Sequence, residues 1–189
     1  MIVSHKFKFI FIKTRKTAGT SLEVFLSGAC GPSDVVTPVI PPESGHVPRN
    51  HEGFYNHIPA SEARLRLVDC WDSYFKFCVE RNPWDKVLSS FRWSGGRDFG
   101  SFLEDAELPA DGRLYMDGDR LLVDRVVRYE NLDRELGEVF GDLGVEFREL
   151  AVRAKPGLPR NYRDFYTPAQ RDLVAERFAR EIAMFGYSF

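Results

Sequence analysis

Lys16, Gly19, Thr20 and Ser21 stand close together at the end of an apolar, β-favouring run, Phe9-Ile10-Phe11-Ile12. The intervening residues are Lys13, Thr14, Arg15, Thr17 and Ala18, and an apolar-periodic segment opens immediately after and ends near Leu26. That pattern is strand, loop, helix. It places cations, hydroxyls and a glycine at a helix N-terminus, where exposed backbone N–H groups and the helix dipole favour an anion. Gly19 permits close backbone approach, and Thr20 and Ser21 add hydroxyl donors. The order differs from the kinase-type G-x-x-x-x-G-K-[ST] loop, because here the lysine precedes the glycine.

A second cluster repeats the logic. Tyr74 to Glu80 reads as a strand, and Pro83, a residue suited to a first helical turn, opens a helix. Arg81 falls at the strand end and Ser89 about two turns into that helix, so that both can serve one phosphate. Arginine provides the planar fork that phosphate recognition uses. A solvated loop lysine, an Arg81 paired with Glu80 or Asp85, and a surface Ser89 are the structural alternatives. Trp84 reads as a packing residue.

These two motifs, Lys16-Thr17-Ala18-Gly19-Thr20-Ser21 and Arg81-Asn82-Pro83-Trp84-Asp85 with Ser89, resemble those of sulfotransferases that use 3′-phosphoadenosine 5′-phosphosulfate (PAPS). The likeness is to bacterial members related to carbohydrate sulfotransferases (family 2-like). It continues through Arg128-Tyr129-Glu130-Asn131-Leu132 to Phe185-Gly186-Tyr187-Ser188-Phe189. The resemblance implies that Arg15 to Ser21 hold the 5′-phosphosulfate, with Lys16 stabilising charge on the departing phosphate oxygen. It implies that Arg81 and Ser89 hold the 3′-phosphate. It also implies that the basic segment Arg153 to Arg163, with Lys155 and Arg160 as candidates, closes over the nucleotide. The acceptor would be a hydroxyl of a carbohydrate, glycolipid or small metabolite. Neither the acceptor nor the oligomeric state is legible here.

Sulfuryl transfer to a hydroxyl benefits from a base, and histidine suits neutral pH. His57, between the two motifs and just before a predicted helix at Ser61–Val68, is the leading candidate, and the family carries a histidine in a comparable segment. His46, His51, Glu52 and Glu62 are alternatives, and His5 is the weakest. The scheme requires no metal. Two other readings are a small ATP- or GTP-dependent kinase and a nucleotide-binding protein without catalysis. The first lacks the G-K-[ST] ending and a clear carboxylate for Mg²⁺ at a strand end. Turnover separates the second.

The elements that must position these groups are legible in outline. Residues 7–13, 74–80 and 124–129 read as strands. Residues 20–29, 59–68, 83–93, 98–106, 131–143 and 168–185 read as helices. Residues 30–56, rich in Pro, Gly, Ser, Asn and His, read as a long loop of the functional kind. Asp117-Gly118 marks a turn between short extended pieces. The alternation predicts one α/β domain of P-loop-like type, a mainly parallel central sheet flanked by helices.

Composition agrees. The 189 residues are 43% hydrophobic and 29% charged, ordinary for a globular domain able to bury a core. A net charge of −2 provides no global basic field to recruit nucleic acid. Cys30, Cys70 and Cys78 show no metal or redox spacing and are expected to be buried or free thiols. No apolar run reaches transmembrane length and no signal peptide precedes the first strand, so the expected location is the cytoplasm.

Overall fold

The computed structural model describes residues 1–96, 98–105, 107–150 and 161–189. Lys155 and Arg160 lie outside the described residues. The elements are β1 (Ile2–Ser4), β2 (Phe9–Ile12), α1 (Gly19–Ala29), β3 (Val35–Val36), α2 (Ala60–Arg66), β4 (Phe75–Glu80), α3 (Pro83–Ser94), α4 (Phe99–Asp105), α5 (Gly112–Tyr115), β5 (Met116–Asp117), β6 (Arg120–Leu121), β7 (Arg125–Arg128), α6 (Leu132–Leu143), α7 (Pro168–Arg177) and α8 (Ala179–Phe185). They divide into two compact units. One comprises Met1–Glu80 and Arg113–Arg153, the other Arg81–Gly112 and Ala154–Phe189.

The first unit is built on a five-stranded sheet in the order β3-β1-β2-β4-β7. β2, β4 and β7 run parallel, with Phe9 opposite Phe75, Ile12 opposite Cys78, and Glu80 opposite Arg128. β1 is antiparallel to both β2 and β3, so the parallel centre carries an antiparallel edge. Strand alternation sends Phe9, Phe11, Phe77, Val79 and Val127 to one face. There they form a core with Leu22 and Leu26 of α1 and with Leu136, Val139 and Phe140 of α6. Phe77 packs edge-on to Phe140 at 6.0 Å between ring centres. The opposite parity, Ile10, Ile12 and Cys78, is also fully buried. Burial on both faces explains why these strands read as continuous apolar runs.

Arg49 and Asn50 tie down the long segment after α1, Asn50 by donating to the carbonyls of Pro32 and Asp34. The Arg49 guanidinium donates to the carbonyls of Ser27, Cys30, Gly31 and Val47. A cation at the carbonyl end of α1 also complements its dipole. Cys30, Cys70 and Cys78 form no disulfide. Burial and the neighbouring Asp34 charge push Cys30 up to about 12, which makes it inert at neutral pH.

The second unit packs α3 and α4 with α7 and α8. Trp84, Val87, Leu88 and Phe91 of α3 meet Phe99, Leu103, Val174 and Phe178. Trp84, as expected, packs: it is 4% exposed, and its Nε1 donates to the Arg171 carbonyl at 3.0 Å. Lys86 and Asp111 form a fully buried ion pair at 3.0 Å. The C-terminal helix expected over residues 168–185 breaks at Phe178, which is 1% exposed in this core. No helix among the described residues is long and apolar enough to cross a membrane.

Candidate functional site

In the first unit, β2 ends at Ile12 and the chain turns through Lys13–Ala18 into α1. Lys13 does not point to solvent. Its ammonium lies 2.6 Å from the carboxylate of Glu23, one turn into α1, and both are buried. Glu23 also accepts from the Met1 amino group. Burial raises the Glu23 carboxyl pKa, but the two cations beside it outweigh that and hold it below its ordinary value. The Lys13 stem runs beneath Gly19 so closely that a Cβ at Gly19 would sit 2.9 Å from Lys13 Cγ. Glycine is therefore required there by space.

The loop is braced from below by hydroxyls. Thr14 Oγ1 donates to the Val79 carbonyl of β4, and Thr17 Oγ1 lies 2.8 Å from Thr14 Oγ1. Thr17 is 1% exposed, and its hydroxyl is spent inside the loop on Thr14. Lys16 (φ 60) and Ala18 (φ 61) both take the left-handed conformation, as does His57 (φ 58). Non-glycine residues held there cost roughly 1–3 kcal/mol each and concentrate at functional sites. A left-handed residue followed by right-handed ones directs successive N–H groups into one concavity, an anion nest. Ala18 does this at the start of α1, whose first internal bond is Leu22 N–H to the Ala18 carbonyl. The N–H groups of the first turn lack partners within the helix. Thr20 and Ser21 are half-buried on that turn.

Of the predicted residues, the structure thus brings Arg15 to Ser21 into one loop–helix junction. It joins His57 to the same junction: His57 Nδ1 lies 3.0 Å from the Lys13 carbonyl oxygen. A carbonyl only accepts, so Nδ1 carries the hydrogen in this contact. His46 is different. Its Nε2 is buried with no hydrogen-bond partner among the described residues, and burial pushes its pKa down. His51 is half-buried in the long loop. Among the alternatives of other type, Glu62 accepts from the Tyr55 hydroxyl at 2.6 Å and pairs with Arg66 at 2.7 Å, while Glu52 is exposed. His5 lies against the Tyr74 hydroxyl at 2.9 Å.

In the second unit, Arg81 and Ser89 lie before and along α3. Asn82 caps the helix by accepting from Trp84 N–H at 3.2 Å, and Pro83 occupies the first turn. The Arg81 guanidinium is held by Asp85: Nε and Nη2 lie 2.8 and 2.7 Å from Asp85 Oδ2. Ser89, half-buried, is one turn beyond Asp85. The sequence foresaw the Arg81–Asp85 pair as one alternative. It did not foresee the Lys13–Glu23 anchor, although a lone glutamate among Leu22, Val24, Phe25 and Leu26 was a signal. Among the described residues no group of three or more His, Cys, Asp and Glu could hold a metal ion.

No family model matches the chain. An uncharacterised protein of Archaeoglobus fulgidus is 30% identical over 118 residues, spanning 56% of this chain and 98% of that protein. Among solved structures, mouse sulfotransferase SULT7A1 in complex with PAP superposes with a TM-score of 0.55 at 13% identity, covering 95% of this chain and 85% of that one. A sulfotransferase from Alicyclobacillus acidocaldarius covers 96% of each chain at 17% identity and a TM-score of 0.48. The mouse likeness shows the fold: this chain has the P-loop-like α/β fold of a sulfotransferase.

Proposed function

We propose that this chain, which belongs to one family with the uncharacterised Archaeoglobus fulgidus protein, is a PAPS-dependent sulfotransferase acting on an acceptor hydroxyl. One observation carries the reading. The loop between β2 and α1 holds two left-handed residues, Lys16 and Ala18, at the N-terminus of α1, on the fold of a mouse sulfotransferase whose structure contains PAP. Arg15 to Ser21 take the 5′-phosphosulfate. Arg81 and Ser89 take the 3′-phosphate, and Lys155 and Arg160 are further candidates for the nucleotide, all by motif resemblance. By analogy with the carbohydrate sulfotransferases, the acceptor is a carbohydrate, glycolipid or small metabolite.

The mechanism follows from the residues. The acceptor oxygen attacks sulfur in line, opposite the bridging phosphate oxygen. His57 Nε2 takes the hydroxyl proton as the bond forms, and the Lys13 carbonyl stabilises the resulting imidazolium through Nδ1–H. The S–O bond to phosphate breaks, and the leaving oxygen's charge is met by Lys16 and the loop N–H groups. 3′-phosphoadenosine 5′-phosphate (PAP) departs. Positioning and fixed electrostatics supply the acceleration, as in phosphoryl transfer. A screen of hydroxyl acceptors with radiolabelled PAPS, run beside γ-labelled ATP with Mg²⁺, tests the reading. Sulfuryl label moving to an acceptor supports it, whereas transfer from ATP alone replaces it with a kinase.

A further inference from the structure

We propose that Arg92 is a third residue of α3 that grips the 3′-phosphate, acting with Arg81 and Ser89 and setting the preference for a 3′-phosphorylated nucleotide. The inference rests on the nucleotide reading above. Neither the sequence motifs nor the resemblance singled out Arg92.

Asp85, Ser89 and Arg92 fall at i, i+4 and i+7 on α3, which places them along one face. Arg81 is fastened to the same face through its bonds to Asp85. The face therefore carries two guanidiniums and one carboxylate, with a hydroxyl between them. Asp85 neutralises one cation and orients its fork. The second cation remains for an incoming anion.

Arg92 is also held ready. Its guanidinium carbon lies 5.6 Å from the centre of the Phe165 ring, a contact that fixes the group while leaving its N–H edge available. Among the described residues no hydrogen bond or ion pair occupies those N–H groups. Arg92 is half-buried, where an arginine's five donors ordinarily find acceptors. Its pKa is pushed down by burial; Asp85 opposes this and the Arg81 charge adds to it, so the two arginines feel each other. A phosphate dianion relieves that repulsion, and its oxygens match two arginine forks and a serine hydroxyl.

The test is calorimetric titration of the wild type, Arg92→Gln and Arg92→Lys with PAP and with AMP, which differ by the 3′-phosphate. Thermal melts of each variant accompany the titrations. Arg92→Gln is expected to weaken PAP by about tenfold or more, the size of one charge-assisted contact, and AMP by less than about twofold. Arg92→Lys keeps the charge and loses the fork, and is expected to fall between. Phe165→Leu serves if Arg92→Gln does not fold; it should lower PAP affinity selectively by releasing the guanidinium. A wild type that prefers PAP while Arg92→Gln keeps that preference overturns the role of Arg92 and leaves the nucleotide reading standing. A selective loss absent from both Arg92→Lys and Phe165→Leu overturns it equally. A wild type without preference for PAP overturns the nucleotide reading itself.

Discussion

Glu23→Gln tests how the loop between β2 and α1 is anchored. Glu23 is fully buried, and Lys13, its partner at 2.6 Å, is 4% exposed. The substitution preserves shape and removes one charge, which strands the Lys13 ammonium beneath Gly19. Breaking a buried pair by removing one partner costs about 3–5 kcal/mol. For a chain of this length, that corresponds to a melting temperature lower by roughly 6–20 °C, at about 2–4 °C per kcal/mol. Lys13→Met with Glu23→Gln removes one of the two cations that Glu23 holds, the Met1 amino group being the other, and should recover part of the loss, so the double-mutant cycle shows a coupling of about 1–3 kcal/mol. The pH dependence has a defined sign. Folding lowers the Glu23 pKa from its ordinary 4.5, so its contribution is present above that value and disappears as pH falls through the folded pKa. The gap between wild type and Glu23→Gln should therefore narrow below about pH 4.5. Urea unfolding at pH 7 and at pH 3.5–4.5 measures both effects. A loss under about 1 kcal/mol at pH 7, or a gap independent of pH, would refute the anchor.

Lys16→Ala should lower turnover by orders of magnitude with a smaller effect on nucleotide affinity, because its strongest contact forms as the phosphate leaves. Steady-state kinetics beside calorimetry separates the two, and an equal loss in both contradicts the assigned role. His57→Ala should reduce the rate by about 10²–10⁴-fold and spare PAP binding. His46→Ala and His51→Ala made in parallel reassign the base if either is inactive while His57→Ala is not. Activity should persist in excess EDTA, since Lys16 and the loop N–H groups meet the leaving oxygen's charge; loss on chelation with recovery in Mg²⁺ would favour a kinase.

The parts of the fold that follow from local pattern were legible. β2, α1, β4, α3 and α6 fall within a residue or two of their predicted spans, because long apolar runs and helical periods with Pro83 and Gly144 as punctuation are strong signals. β1 and β3 were not visible. They are three and two residues long, and only pairing with distant chain makes them strands. The break at Phe178 carries no glycine or proline and comes from packing in the second core. At the site, the loop residues were readable as a set, because hydroxyls, a glycine and cations crowd a helix start. Their division of labour was not. That Lys13 turns inward depends on buried Glu23, and the contact of His57 Nδ1 depends on a carbonyl 44 residues away.

The central claim is that the nucleotide carries a 3′-phosphate. Calorimetry of the intact protein with PAP and with ADP tests it without knowledge of the acceptor. The fork of Arg81 and the hydroxyl of Ser89 predict that PAP binds at least about tenfold more tightly, since each charge-assisted bond is worth roughly 1.5–3 kcal/mol. Equal affinity for the two, or tighter binding of ADP, would contradict the sulfotransferase account.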